Sequence, residues 1–421
     1  MYREILKNAD YRKLFFANVI NDFGDSVDAI AFTWLTYQFS QSASLSALTL
    51  AANRLPTVIF QPLFSPITDR LPKKPVMAVC DFIRAALVGI FLLLFLTDSL
   101  QAWMFLAFSF VMNTVESFRI PAGVGMLPQL VGKGGYKKAS SLMHSACMVA
   151  DLAGTGLAGI IAAFSMGSAF AVDLLTFVLS GLLILAIRFP EAAAPKEERK
   201  GYFAELKGGF QYLGKNHIFL LLVMGAVLSN SINSIFASLQ APYISDIFRG
   251  GSETLSLLGV CETAGLLLAF YFYPKISERL PSRNQFLLSF GTSCASYLLL
   301  LLIPLLGWFR YLAAGLLMFG WGLLGGVAAS LFSVKLVQVV EPDYLGRAAS
   351  LFNATGSCVT PLVSAAIAGL VAFLPIQAML LIGAAAAAVV LAILARLKLC
   401  YALNQEEKPA IMEGEQSLGA D

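Results

Sequence analysis

The residues with the clearest chemical potential are polar side chains in an otherwise apolar stretch near the start of the chain. Asn21 and Asp22 lie three and four residues after Asn18, and Asp25 lies four and three residues after them, which places all four on one helix face; Asp28 comes three residues later. A carboxyl group buried there can bind a proton from one side and release it to the other. We predict that Asp22 carries a proton, with Asp25 as a second candidate. Structural capping or pairing of these acids is the alternative.

Further ionisable side chains lie in other apolar stretches. His144 precedes Asp151 by seven residues, so these two could relay a proton or form a satisfied buried pair. Glu116 and Arg119 are three residues apart and can pair on one helix face. This pair is either static or a switch in which Arg119 holds an acid of the first stretch in one conformation only.

A third set of polar residues could bind a solute. An ionised group at mid-bilayer costs about 2.5–3.5 kcal/mol on insertion scales, so it needs water, a partner or a proton. Glu262 suits a cationic or zwitterionic solute, Arg54 suits an anionic one, and Trp321 could offer a flat surface to an aromatic ring. The predicted substrate cavity consists of Asn18, Asn21, Arg54, Asn230, Asn233, Glu262 and Trp321.

The composition indicates what surrounds these residues. The 421 residues are 58% hydrophobic and only 13% charged, with a mean hydropathy of +0.75. A soluble chain carries roughly a quarter charged residues, and single hydrophobic cores stop growing near about 250–300 residues. Lipid must therefore surround most of the chain. The net charge of +3 is too small for a basic nucleic-acid-binding protein.

The predicted architecture is an all-α membrane protein with twelve transmembrane helices. A spanning helix needs about 20 apolar residues. Stretches of that kind lie at about 14–39, 45–68, 76–96, 101–124, 139–163, 167–189, 217–241, 254–277, 285–306, 311–334, 348–373 and 375–398.

The distribution of positive charge predicts the orientation of these helices. All but five of the 29 Lys and Arg fall on the side of the N-terminus; the exceptions are Arg249 and Arg310 outside and Arg54, Arg84 and Arg119 within spans. Lys and Arg concentrate in cytoplasmic loops. We therefore expect a multi-pass protein of the cell (inner) membrane with both termini in the cytoplasm. The first span is long and follows charged residues, so it is predicted to be a retained helix.

The chain repeats itself at a shift of about 209 residues. Residues 65–74, SPITDRLPKK, align with 274–283, PKISERLPSR, and six of sixteen positions agree between 127–142 and 336–351. Loops on the same side align, so the two halves have the same orientation. A shift of 208 places Asn230 and Asn233 at the positions of Asp22 and Asp25, which assigns proton binding to the first half and substrate hydrogen bonding to the second.

These boundaries predict four regions. Residues 1–189 form an N-terminal six-helix bundle and 217–400 a C-terminal one. The charged segment 190–216 is predicted to be a cytoplasmic linker, and the polar segment 401–421 a flexible cytoplasmic tail.

Several motifs resemble the major facilitator superfamily, and more narrowly its macrolide-efflux-like drug exporters. The superfamily loop Gly-x-x-x-Asp-Arg-x-Gly-Arg-Arg is matched by Ser65, Asp69, Arg70, Lys73 and Lys74, with Pro72 at the second Gly position. The narrower branch is similar in FRIPA at 118–122, AVDLLTFVLS at 171–180 and EPDYLGRAASL at 341–351. The antiporter signature is matched loosely by AGTGLAGII at 153–161, which lacks its proline.

The resemblance implies export by alternating access, driven by ions that move down their gradient. It also implies a cytoplasmic gate closed by charge pairing, whose residues here are Asp69, Arg70, Glu278 and Arg279. Asp81 and Arg84 are expected to support the Asp69 loop. We therefore predict a proton-coupled exporter of small amphipathic, drug-like compounds, with an importer or a flippase of lipid-like or siderophore-like solutes as the alternative.

The sequence argues against enzymatic chemistry. GTGLAG at 154–159 fits a dinucleotide-binding pattern, but it lies inside an apolar span with no preceding strand. No nucleotide-binding lysine loop, zinc motif or nucleophile elbow is present in the sequence, and the six cysteines are scattered singly. We expect no cofactor and no metal. The expected partners are a small-molecule substrate, protons and the lipid bilayer, and the protein is expected to be a monomer.

Overall fold

The computed structural model describes residues 5–188, 217–340 and 345–396, and these residues are helical almost throughout. The predicted linker and tail lie outside the described residues. Asn8 begins the first helix by accepting from the backbone amides of Asp10 and Tyr11. The helices are Ala9–Ser40 (α1), Ala43–Arg70 (α2), Lys73–Leu96 (α3), Ala102–Phe164 (α4), Met166–Leu185 (α5), His217–Pro242 (α6), Ser252–Arg279 (α7), Ser282–Leu302 (α8), Arg310–Val339 (α9), Leu345–Leu370 (α10) and Ile376–Arg396 (α11).

The described residues thus form eleven α-helices, so the predicted count of twelve is not confirmed. The predicted fourth and fifth spans both lie in the 63-residue α4, which is interrupted at Gly132, where φ is 67° and ψ is 169°. Few residues other than glycine adopt a positive φ readily. Leu130 lies against Asn8 and Ala139 against Tyr11, so the chain passes the start of α1 on both sides of the interruption.

The helices pack as two groups. In the first, α1 and α3 pack against α4 and α5; in the second, α7 packs against α9, α8 against α11, and α6 against α10. The groups meet where α2 contacts α10 and where α4 contacts α7.

The two ends of the helices differ in how the groups touch. At the far end, where α1 finishes, Trp34, Tyr37 and Ala47 pack into the hydrophobic core of the second group. At the near end, where α1 begins, Asn8 and Lys13 bond within the first group, to the carbonyl oxygens of Leu130 and Ala186. The described part of the protein therefore has a hydrophobic seam between the groups at the far end.

Eight segments of the described chain are long and apolar enough to cross a membrane, and one of them, Ser282–Val339, contains both α8 and α9. Many large apolar side chains on these helices are exposed, including Leu93, Leu175 and Leu316. Helix α1 is not among the eight, and its middle carries Asp22 and Asp25. The exposed surface of these helices is therefore apolar, as expected for contact with lipid. The acids of α1 lie among the other helices.

Candidate functional site

A cavity of about 360 Å³ lies between α2 of the first group and four helices of the second. It contains five of the residues predicted to bind substrate: Arg54, Asn230, Asn233, Glu262 and Trp321. The other lining residues, which sequence reasoning did not single out, are Thr57, Val58, Ser234, Phe236, Ala237, Gln240, Ser357 and Thr360. Nine of the thirteen lining residues have polar side chains, and the other four are apolar or aromatic.

The two charged residues of this cavity are Arg54 and Glu262. The Arg54 side chain is exposed to the cavity, and Glu262 is half-buried. Neither forms a hydrogen bond or an ion pair with another residue in the part of the chain that the structure describes. They belong to different helix groups, so a solute in the cavity can touch both.

The remaining predicted polar residues are partly occupied by protein contacts. Asn230 donates from Nδ2 to the carbonyl oxygen of Gly356 at 2.9 Å. The indole Nε1 of Trp321 donates to Asn233 Oδ1 at 3.3 Å. Trp321 is only 7% exposed and stacks on Phe236, with ring centroids 5.6 Å apart. Trp321 therefore exposes little ring surface to a solute, and not the broad flat surface that was predicted.

The polar face of α1 does not line this cavity, because it is turned into the first helix group. The Asn21 side-chain amide donates to Asp25 at 2.5 Å, and Asn21 is buried. Asn18 accepts from Arg119 at 3.2 Å. The prediction that Asn18 and Asn21 lie in the substrate cavity is therefore wrong. Asn18 bonds to α4, whereas the Asn21 amide bonds within α1 and its Oδ1 atom has no hydrogen-bond partner in the described part of the chain.

Asp25 belongs to an ion-pair cluster centred on Arg84 of α3. Arg84 Nη2 lies 2.5 Å from Asp25, and Nη1 pairs with Glu116 of α4. The guanidinium also lies over the Phe177 ring, 4.1 Å from its centroid. Because Arg84 is buried, these two carboxylates compensate its charge where water cannot.

A second ion pair joins the same helices one turn away. Arg119 Nε donates to Asp81 at 2.5 Å, and the Ser180 hydroxyl donates to the other Asp81 oxygen at 2.6 Å. Asp81 is fully buried, and Arg119 is 6% exposed. The pair ties α3, α4 and α5 together.

The predicted pairing of Glu116 with Arg119 within α4 is wrong, and Asp81 and Arg84, which were expected to support the Asp69 loop, bond to α1, α4 and α5. Each residue pairs instead across the α3–α4 interface: Asp81 with Arg119, and Arg84 with Glu116. The order is reversed between the two helices, as in antiparallel neighbours. Side chains three apart share a face, and here that face meets a helix with complementary charges.

Asp22 and Asp151, two of the predicted proton-coupling residues, lie near each other inside the first group. The Asp22 carboxyl adjoins the Cys147 thiol. Asp151 accepts from the Ser26 hydroxyl at 2.5 Å. His144 is exposed and makes no hydrogen bond to Asp151, since seven residues of helix separate them by roughly 10 Å along the axis. The predicted His144–Asp151 relay is therefore absent from this conformation.

Asp173 of α5 is a buried acid that sequence reasoning missed. It is fully buried, and its Oδ2 atom has no hydrogen-bond partner in the described part of the chain. Its charge interacts with those of Asp28 and Asp25. The signal was present in the sequence, because an acid inside the apolar stretch 167–189 carries the same cost as the acids of α1.

The predicted gate residues fall into two cases. Glu278 and Arg279 are exposed at the end of α7, and their side chains form no hydrogen bond or ion pair with another described residue. The side chains of Asp69 and Arg70 lie outside the described part of the structure. Charge pairing at this gate remains a prediction.

A larger groove, of about 640 Å³, lies between α8, α9 and α11, and its lining is dominated by leucines such as Leu288, Leu299 and Leu316. These three side chains are exposed on the apolar outer surface of the described helices. The groove contains no ionisable group, so we place the candidate site in the smaller cavity that holds Arg54 and Glu262. No cluster of potential metal ligands occurs among the described residues.

The family described as Major Facilitator Superfamily matches residues 14–364. The chain is 24% identical over 273 residues to an uncharacterized MFS-type transporter, YvqJ, of Bacillus subtilis (strain 168); the match covers 63% of this chain and 65% of that protein. It is also 24% identical over 363 residues to the multidrug efflux pump Tap of Mycolicibacterium fortuitum. This match covers 83% of this chain and 86% of that protein.

Among solved structures, the nucleoside transporter NupG has a similar fold. It superposes with a TM-score of 0.69 at 14% identity, over 92% of this chain and all of that one. Identity this low supports a shared fold only.

Proposed function

The chain belongs to the major facilitator superfamily, and we propose that it is a secondary active transporter that exports small molecules by alternating access at the expense of a proton gradient. The family match makes it an integral multi-pass membrane protein and a transporter rather than an enzyme. The observation that carries the proposal is the cavity between the two helix groups, which is lined from both sides and carries two charges that are not paired with any described residue. Multidrug efflux by a distant relative supports the outward direction.

We assign the two helix groups to two parallel six-helix bundles, 1–189 and 217–400. The positive-inside bias supports placing the near end, with both termini, in the cytoplasm of an inner-membrane protein. We propose a monomer, because each half of the cavity comes from the same chain.

Contacts at the far end support a state in which the cavity opens toward the near end. There the Tyr37 hydroxyl donates to Asp246, and the Ser44 hydroxyl donates to the carbonyl oxygen of Ala368. Gly159 of α4 also lies against Ser256 of α7, where an added Cβ would come within 2.6 Å of its hydroxyl oxygen. Such close approach favours small residues between helices.

Replacing Tyr37 with phenylalanine is expected to open the far end more often, because it removes a hydrogen bond between the groups. A hydrogen bond to a carboxylate contributes about 1.5–3 kcal/mol, so the ratio of far-open to far-closed molecules should rise roughly tenfold or more. Spin labels at Asp98 and Phe373, both in exposed turns at the far end, report the distance between the groups.

Tyr243→Phe is the matched control for this experiment. The Tyr243 hydroxyl donates to the carbonyl oxygen of Leu300 at 2.6 Å, so it joins helices within the second group only. The control should leave the distance distribution unchanged. Equal shifts in both variants, or none in Tyr37→Phe, would contradict a far-end latch.

Proton coupling is proposed because carboxyl groups outnumber guanidinium groups in the network between α1, α3, α4 and α5. Arg84 and Arg119 face Asp25, Glu116 and Asp81, while Asp28 and Asp173 have no guanidinium partner in the described structure. Not all of these carboxyl groups can be ionised together at low cost. Some of them are therefore available to carry protons, and Asp22 lies beside the network without an ion pair to any described residue.

Asp22→Asn is expected to abolish solute-driven proton movement in proteoliposomes that carry an imposed pH gradient. The assay follows internal pH while a chemically diverse solute panel is added. Asp28→Asn and Asp173→Asn are run in parallel, and Asp10→Asn, outside the membrane core, is the control. Unchanged coupled flux in Asp22→Asn would remove Asp22 from this role, and loss in Asp173→Asn alone would transfer it to the buried acid.

Import of a polar solute is the second candidate function, and the polar lining of the cavity favours it. Arg54, Glu262 and Gln240 suit a polar, siderophore-like solute better than a lipid-like one. Flipping of a lipid-like solute is less consistent with this lining. The same proteoliposome assay decides direction, since an exporter by antiport moves protons opposite to the solute.

A further inference from the structure

Arg54 and Glu262 face one cavity from different helix groups, with opposite charges and without protein partners. Arg54 projects from the middle of α2, and Glu262 lies near the middle of α7. No hydrogen bond or ion pair joins either residue to the rest of the described chain. An ion pair between them would require approach within about 4 Å, and none is present.

Arg54 and Glu262 require different groups on a bound solute. A guanidinium cannot lose its proton in a protein, so the charge of Arg54 persists when the cavity closes and excludes water. A buried charge without a partner is costly, and an anionic group on the cargo would remove that cost. A carboxylate can accept either a cation or a hydrogen-bond donor, so Glu262 accommodates the complementary end of the same cargo.

The rest of the lining provides hydrogen bonds but no further charge. Amides and hydroxyls come from Asn230, Gln240 and Thr360. Trp321 and Phe236 are buried and stack on each other, so they leave little ring surface for a broad aromatic solute. The volume of about 360 Å³ lies at the small end of ligand sites, which run from roughly 300 to 1,000 Å³.

We propose that the cargo is a small zwitterion whose anionic group binds Arg54 and whose cationic group binds Glu262. This inference rests on the proposed transport function and specifies its substrate class. A cargo bound in this way bridges the two helix groups, so its binding favours their closure around the cavity. A solute with only one of the two charges leaves the other side chain unpaired.

Binding can be tested with free and capped alanine peptides on the purified protein in detergent. The free di-, tri- and tetrapeptides are zwitterions whose charges separate by at most roughly 3.3–3.6 Å per residue. N-acetylation leaves only the negative charge, C-terminal amidation only the positive charge, and both together leave none. Ligand binding raises the unfolding temperature according to affinity, so thermal stabilisation ranks the probes.

The free peptide of the best length is expected to bind at least about tenfold more tightly than its singly charged forms, the effect of one lost charge-assisted hydrogen bond. Arg54→Gln should bind the free peptide and its C-terminal amide equally. Glu262→Gln should bind the free peptide and its N-acetyl form equally. The double variant should bind the doubly capped peptide best, and Lys138→Gln, an exposed residue outside the cavity, should match the wild type.

Equal binding of capped and free peptides by the wild type overturns the inference, as does failure of every free peptide to bind up to its solubility limit. A third outcome also overturns the inference: both single variants fail to fold, and the charge-swapped variant Arg54→Glu with Glu262→Arg folds again. That result would show that the two residues pair with each other rather than with a cargo. Failure of the proposed function can be distinguished from failure of this inference. Charge-selective binding without uptake into proteoliposomes contradicts the transport function, whereas uptake without charge selectivity contradicts only the zwitterionic substrate class.

Discussion

Replacing Arg119 with methionine should destabilise the protein by about 3–5 kcal/mol, because it leaves the carboxylate of Asp81 buried without its cationic partner. Asp81 is fully buried, and after the substitution only the Ser180 hydroxyl would still donate to it. Methionine keeps much of the apolar stem of arginine, so lost packing contributes little. Unfolding followed by tryptophan fluorescence in detergent, with heating or added denaturant, gives the change.

The double variant Asp81→Asn with Arg119→Met separates loss of charge compensation from loss of a specific contact. Asparagine can still accept from Ser180, and no buried charge remains. Removal of both charges from a buried pair is often close to neutral, so the double variant should recover most of the lost stability. A double variant as unstable as Arg119→Met would contradict this account. Lys138→Met, at an exposed position, is the control for removal of a positive charge.

The same pair of variants also tests the predicted switch. If Arg119 only holds α3, α4 and α5 together, the double variant should regain transport along with stability. If Arg119 exchanges partners during the cycle, the double variant should be stable but inactive. Asn18, which accepts from Arg119 at 3.2 Å, is the contact of α1 through which such an exchange would act.

Gly322→Ala is expected to destabilise the second helix group by about 3 kcal/mol, near the upper end of overpacking effects, and to abolish transport. A Cβ at Gly322 would lie 1.9 Å from the carbonyl oxygen of Glu262. The obstructing atom is backbone, so α7 and α9 must separate to admit the methyl group. This separation displaces Glu262 from the cavity. Gly265→Ala should behave in the same way, since its Cβ would lie 2.1 Å from the carbonyl oxygen of Phe319.

Two other glycines of α9 are matched controls. A Cβ at Gly320 or Gly325 would meet no atom within 4 Å. Alanine there should leave the structure intact and raise stability by about 0.4–1 kcal/mol, because the unfolded chain loses freedom. Thermal unfolding and uptake by all four variants check the contrast. Equal tolerance of alanine at Gly320 and Gly322 would show that the helices do not approach as closely as described.

The glycines of α9 show that a sequence pattern can predict close helix packing without identifying the residues that make the contact. The cluster of glycines in α9 predicts close helix approach somewhere along it. Which of them meet a neighbouring backbone depends on the rotation of α9 about its axis and on where α7 crosses it. Those quantities are set by packing over the whole helix, so Gly322 and Gly320 are indistinguishable in the sequence.

The acids of α1 also show which properties the sequence predicts and which depend on the tertiary structure. Their spacing and the cost of charge in lipid dictate that they turn inward, and Asp25 does so beside Arg84. Whether these acids face a water-filled cavity or a neighbouring helix depends on residues that are 59 or more positions away in the chain. The structure places Asp25 in an ion-pair network and Asp22 beside the Cys147 thiol, and the cavity contains Arg54 and Glu262 instead.

By itself, the sequence determined that this is a multi-pass helical membrane protein, that it resembles the major facilitator superfamily, and that a few polar residues must be sheltered from lipid. Hydrophobic length, charge asymmetry and the cost of burying charge are local properties, and each can be evaluated one segment at a time. Only the tertiary structure decided that Arg119 pairs with Asp81 rather than Glu116, that α4 continues past the predicted loop, and that Arg54 and Glu262 line the same cavity. Each of these depends on which side chains from distant segments meet, and that is fixed by the packing of all helices together.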